Sequence, residues 1–81
     1  MPQTIHIQYF ALLREQRGAS AEQLSTSATT ARELYSQLQT KHRFTLSPDL
    51  VRVSINNEFK DWNTALKSGD HIVFIPPVAG G

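Results

Sequence analysis

The stretch Thr30-Ala31-Arg32-Glu33-Leu34-Tyr35-Ser36-Gln37-Leu38 decides how the rest of the chain is read. Thr30 is placed to accept from the backbone N–H three residues on, and Glu33 to reach back to the Thr30 N–H, a reciprocal cap at a helix start. Ala31, Leu34, Tyr35 and Leu38 then recur at i, i+3, i+4 and i+7, one apolar stripe. This predicts the main helix. A helix with a single apolar stripe must cover something, and the segments on either side supply it.

Upstream, Thr4-Ile5-His6-Ile7-Gln8-Tyr9 alternates apolar and polar residues, which marks a strand with Ile5, Ile7 and Tyr9 pointing inward. Phe10 to Arg17 contains the helix-permissive run Ala11-Leu12-Leu13-Arg14-Glu15. Gly18 follows where a helix needs a left-handed residue to end it. The polar segment Glu22 to Ser27, between two helical signals, reads as an edge strand.

Downstream, Ser47-Pro48-Asp49 breaks the chain, and Val51, Val53 and Ile55 alternate with Arg52 and Ser54 as a second clear strand. Asn56-Asn57 suits a tight hairpin because Asn tolerates positive φ, so Glu58-Phe59-Lys60 returns as a short strand. Trp62, Ala65 and Leu66 are expected to pack a connecting segment that ends at the Ser68-Gly69-Asp70 turn. The last strand, His71-Ile72-Val73-Phe74-Ile75, stops at Pro76-Pro77, which cannot donate to a ladder. The order predicts an α+β roll, a mixed sheet covered by one main helix, over residues 1–77, with residues 78–81 as a tail.

Composition narrows the function classes. A chain of 81 residues buries only about 60% of the surface it exposes when unfolded, so it has room for one core and no second one. Any catalysis it joins calls for a partner. Eight Lys and Arg against seven Asp and Glu give +1, without a cluster, which argues against nucleic acid or an anionic membrane as the main partner. The absence of cysteine excludes disulfides, thiolate metal ligands and a cysteine nucleophile. The start, Met1-Pro2-Gln3-Thr4, goes into a strand pattern without a basic and apolar leader, so the expected location is the cytoplasm.

Few side chains offer chemistry. His6, His42 and His71 have no metal-ligand spacing. His6 and His71 both fall on strands and can meet across them, but half-exposed histidines without a role are the simpler reading. No metal site is expected. The carboxylates are scattered, and no Gly-rich phosphate loop is present, because Gly18 has no Lys-Ser or Lys-Thr sequel.

The tail is different. At an average usage of about 7%, two final glycines arise by chance roughly 0.5% of the time, so Gly80-Gly81 is either a frayed or added end or a functional one. What precedes it favours function: a strand delivers the chain to Pro76-Pro77, which stiffen it, and then to residues with almost no side chain. At ~3.3 to 3.6 Å per residue, Pro76 to Gly81 reaches about 20 Å. A carboxylate on glycine passes a narrow channel, but it is a poor electrophile. A partner must activate it with ATP as an acyl-adenylate, from which a sulfur or amine nucleophile displaces AMP.

Tyr9-Phe10-Ala11 with Arg14-Glu15, Val53 to Glu58, and Gly69-Asp70 followed by Val73-Phe74-Ile75-Pro76-Pro77-Val78-Ala79-Gly80-Gly81 together resemble the sulfur-carrying small subunits of molybdopterin synthase. These belong to the ubiquitin-like β-grasp proteins. Two positions depart from the family's pattern: Ile75 stands where a second Phe is frequent, and Ala79 where Thr or Ser is. The resemblance implies that Gly81, beside Gly80, is adenylated and then converted to a thiocarboxylate. It further implies insertion of the tail into the synthase large subunit, in a heterotetramer, where sulfur passes to cyclic pyranopterin monophosphate. An adenylating enzyme and a sulfur donor are the other implied partners; ATP is used by the former and no cofactor is bound here.

Val73 and Ile75 lie on the face of the last strand opposite Ile72 and Phe74. With Pro76, Pro77, Val78 and Ala79 they are the expected contacts of the large subunit, unless that strand is buried on both faces. Phe10 and Arg14 are further candidates, against the alternative of a solvated helix face. A carrier for thiamin or tRNA thiolation, a ubiquitin-like modifier and a plain interaction domain are the competing readings of the tail.

Overall fold

A computed structural model of the chain describes residues 2–77. The tail from Val78 to Gly81 lies outside the described residues. Five strands and two α-helices follow in the order β1 (Gln3–Tyr9), α1 (Ala11–Arg17), β2 (Ala21–Thr26), α2 (Ala31–His42), β3 (Arg52–Ile55), β4 (Glu58–Lys60) and β5 (His71–Ile75), with a 3-10 turn at Pro48–Leu50. The strands form one sheet in the order β2-β1-β5-β3-β4. β1 and β5 run parallel, and the other neighbours are antiparallel. This is the mixed sheet that the element order predicts.

Each element forms for a local reason. Gly18 ends α1 at φ 84°, and its N–H bonds the Arg14 carbonyl. Asn56 and Asn57 take φ 54° and 71°, the double left-handed turn that pairs Ile55 with Glu58 and Ser54 with Phe59. At Thr30 the cap differs from the sequence expectation. Thr30 Oγ1 accepts from the Glu33 N–H at 3.2 Å, whereas Glu33 Oε1 accepts from the Thr29 N–H at 2.9 Å and from the Thr29 hydroxyl, not from Thr30. The chain enters α2 extended and bridged to Ala65, which turns the amide of residue 29 toward the carboxylate. That bridge also corrects the role of Ala65: it is exposed and connects through its main chain, while Leu66 supplies the buried contact.

The core lies between the sheet and α2. Ile5, Ile7 and Tyr9 of β1, Val53 and Ile55 of β3, and Ile72 and Phe74 of β5 meet Ala31, Leu34, Tyr35 and Leu38 of α2. Phe74 sits among Tyr35, Trp62 and Tyr9, with ring centroids 5.2, 6.0 and 6.3 Å away. Phe44 completes the cluster against Tyr9 and Tyr35. Offset and edge contacts of this kind add to the apolar burial of each ring. Their effect here is to fix the strand that leads into the tail.

Candidate functional site: the exit of the last strand

β5 is the middle strand of the sheet, held by β1 on one side and β3 on the other. Ile72 and Phe74 are fully buried beneath α2, and on the opposite face Val73 and Ile75 are half-buried. Their neighbours on that open face follow from the register. Val73 stands between Gln8 of β1 and Ser54 of β3, and Ile75 stands beside Arg52.

At the end of β5 the chain emerges between two grooves. The larger, ≈ 570 Å³, is walled mainly by Phe10, Leu12, Leu46, Ile75, Pro76 and Pro77, with Glu15 at its edge. The smaller, ≈ 310 Å³, has Asp49, Leu50 and Arg52 opposite the same Ile75-Pro76-Pro77 segment. Apolar side chains left in water around one exit point contribute little to folding, and exposed patches of this kind mark candidate interaction sites. Phe10 is 41% exposed, Leu12 39%, Leu50 56% and Phe59 64%. Phe59 lies on the open face opposite Ser54, with the Arg52 guanidinium carbon 5.7 Å from its ring centre.

The residues expected from sequence divide. Phe10, Ile75, Pro76 and Pro77 come together at the larger groove. Pro76 is buried rather than part of an exposed patch: Phe10, Leu12 and Leu46 stand on one side of its segment and Leu50 on the other. Val73 lies further back on the open face. Arg14 is exposed on α1 and lines neither groove. Val78, Ala79, Gly80 and Gly81 are outside the described residues. Leu12, Leu46, Leu50 and Phe59 were not singled out from sequence. For Phe59 a signal existed: a two-residue turn at Asn56-Asn57, with Val53 and Ile55 inward, forces Phe59 to the other face.

The surrounding electrostatics brace the scaffold. Tyr9 donates its hydroxyl hydrogen to Glu22 at 2.6 Å, and Arg17 donates to both oxygens of the same carboxylate at 2.9 and 3.0 Å. The Arg17 hydrogen bond holds the Glu22 carboxyl down to about 2 against an opposing burial effect, and burial with the Glu22 contact pushes the Tyr9 phenol up. Burial raises Tyr35 to about 12; its hydroxyl donates to the Leu46 carbonyl at 2.7 Å. Gln39 donates to that carbonyl as well, at 3.1 Å. Gln16 of α1 clasps Thr45 through two bonds. These contacts hold α1 and the 44–46 loop where the larger groove needs them.

No catalytic constellation accompanies the grooves; the charged groups lining them are Glu15, Asp49 and Arg52, without mutual hydrogen bonds among the described residues. Nor do the described residues include a group of three or more His, Asp or Glu placed to hold a metal ion. No helix among them is long and apolar enough to cross a membrane. What the described residues do show is two grooves that share the Ile75-Pro76-Pro77 segment.

The chain is similar to known proteins in sequence and in fold. The chain is 36% identical over 80 residues to a molybdopterin synthase sulfur carrier subunit from Haemophilus influenzae, covering 95% of this chain and 99% of that protein. Among solved structures, subunit 1 or 2 in the protein-protein complex of molybdopterin-converting factor from Helicobacter pylori 26695 superposes with TM-score 0.66 at 29% identity, over 98% of this chain and 100% of that one. SAMP1 from Haloferax volcanii superposes with TM-score 0.78 at 23% identity, over 96% and 99% of the two chains. That likeness shows the fold, a ubiquitin-like β-grasp. Residues 7–81 match the ThiS family, a span that includes the exit strand, both grooves and the diglycine, and the chain belongs to that family.

Proposed function

We propose that this chain is the sulfur carrier subunit of molybdopterin synthase, with the Gly81 carboxylate as its reactive group. The observation that carries the reading is the exit of β5: a rigid central strand passes between two apolar grooves and leads into Val78-Ala79-Gly80-Gly81. The similarity to the Haemophilus influenzae sulfur carrier subunit supports the assignment. The complex of two molybdopterin-converting-factor subunits supports a large-subunit partner.

In the proposed cycle an adenylating enzyme joins the Gly81 carboxylate to the α-phosphorus of ATP and releases pyrophosphate. Sulfide equivalents from a donor attack the acyl carbon, AMP leaves with the bonding pair, and a thiocarboxylate results. The tail then enters the large subunit of a heterotetramer, where its sulfur passes to cyclic pyranopterin monophosphate. Phe10, Ile75 and Pro77 make the apolar contact that seats it. The large subunit supplies the acid and base groups of the transfer, since Glu15, Asp49 and Arg52 at the grooves make no hydrogen bonds to one another among the described residues.

Mass spectrometry of the protein after incubation with ATP, an adenylating enzyme and a sulfide source tests this directly. An oxygen-to-sulfur mass change on the C-terminal peptide is expected. Conjugation to lysines of other proteins would instead indicate a ubiquitin-like modifier, and an unchanged mass an interaction domain. Deleting Gly81 is expected to abolish sulfur transfer to the pterin while leaving large-subunit binding measurable; full transfer by the shortened chain contradicts the mechanism.

A further inference from the structure

The open face of the sheet carries a second juxtaposition, away from the grooves. His6 of β1 and His71 of β5 are directly paired in the parallel ladder. Ile5, Ile7 and Ile72 are buried on the helix side, so alternation puts both imidazoles on the open side, where both residues are exposed. Among the described residues, the hydrogen bonds made by His6 and His71 use only their main-chain atoms. The ring nitrogens are therefore available.

The backbone beneath them is fixed. The His6 N–H donates to the Asp70 carbonyl at 2.9 Å, the His71 N–H donates to Asn56 Oδ1 at 3.0 Å, and the Asn56 N–H donates to the His71 carbonyl at 2.8 Å. Asn56 Nδ2 in turn donates to Asp70 Oδ1 at 2.9 Å. Adjacent strands lie about 4.8 Å apart, and two metal–nitrogen bonds of ~2.0 to 2.1 Å span up to about 4 Å. Imidazoles from paired, same-face positions thus reach one ion by ordinary side-chain rotation. On the far side of His6, Gln23 of β2 stands in register and offers an amide oxygen.

We propose that His6 and His71 form a two-imidazole binding site for a borderline divalent transition-metal ion, completed by water and the Gln23 amide. Imidazole nitrogen selects copper(II), nickel(II) and zinc(II) over magnesium and calcium, and copper(II) binds most tightly of the three. A site with only two protein nitrogens is an exchangeable surface site rather than a structural one.

The test is calorimetric titration of the untagged protein with copper(II) and with nickel(II) above neutral pH, alongside copper(II) electron paramagnetic resonance. One equivalent is expected to bind, with nitrogen hyperfine coupling from two ring nitrogens. His6→Ala and His71→Ala should each lose that isotherm and the two-nitrogen signal while keeping the thermal midpoint, since both side chains are exposed. His42→Ala should retain both signals. Absence of binding to the native chain, loss in only one of the two single variants, or survival of the signal in the double variant would overturn the site.

Discussion

Each face of β5 carries two large apolar residues, and the two pairs have opposite fates. On one, Ile72 and Phe74 disappear beneath α2 and into the aromatic cluster. On the other, Val73 and Ile75 stay half in water and join exposed Phe10 and Phe59. Covering one face of a strand and leaving the other uncovered separates two tasks within five residues. The closed face anchors the strand, and the open face stays partly accessible.

Substitutions on each face can break that separation. The largest effect is expected at Phe74→Ala, which empties the centre of the aromatic cluster and should cost about 3 to 5 kcal/mol in denaturant unfolding. If the closed face were dispensable, stability would hardly change. Ile75→Lys probes the other face. It should lower large-subunit affinity about tenfold or more, near 1.4 kcal/mol, measured by calorimetry, with unfolding stability reduced by no more than about 1 kcal/mol. Unchanged affinity would remove Ile75 from the docking surface. Phe59→Ala sharpens the same contrast: a smaller affinity loss is expected, with no measurable loss of stability.

Acid should weaken the closed side in two steps. His42 has its Nε2 buried without a hydrogen-bond partner among the described residues, and burial followed by the Arg17 charge lowers its proton affinity in the folded state. The unfolded chain then binds the proton more readily, so stability declines as pH falls through the usual histidine value near 6.5. Glu22, held at about 2 against an ordinary 4.5, contributes stability above pH 4.5 that is lost as pH falls toward 2. Thermal melts across pH 7 to 2 should show both declines, and Glu22→Gln should flatten the second. The smallest effect is expected at Arg43, the left-handed residue that ends α2 at φ 58°. Arg43→Gly relieves the Cβ clash and should stabilise by about 0.5 to 1 kcal/mol after the added unfolded-state freedom is subtracted.

Much of the scaffold was legible because its signals are local. The stripe Ala31, Leu34, Tyr35 and Leu38 is buried as its spacing requires, and Gly18, Asn56 and Asn57 take the left-handed conformations their side chains permit. The exchange of Thr30 for Thr29 at the Glu33 carboxylate was not legible, because the bridge to Ala65 that sets the entry angle comes from a distant loop. The site divides in the same way. Ile75 and Pro77 could be named from a strand and a proline pair, and Phe10 as a candidate contact at the start of the helix-permissive run. Leu46 and Leu50 could not, since they become groove walls only when the 44–50 segment folds back beside the β5 exit. The sequence alone leaves Pro76 on the surface for the same reason: the residues that hide it are remote in sequence.

The parallel pairing of β1 with β5 joins the first strand of the chain to the last, with β3 closing the other edge. Pairings between segments so far apart close late in folding, because loop-closure entropy must first be overcome. A partially folded chain therefore carries the diglycine before the grooves beside Pro76 and Pro77 are assembled. Under the proposed function, a partner that requires both acts on completed molecules and passes over unfinished ones, which makes the topology a check on folding before Gly81 is activated.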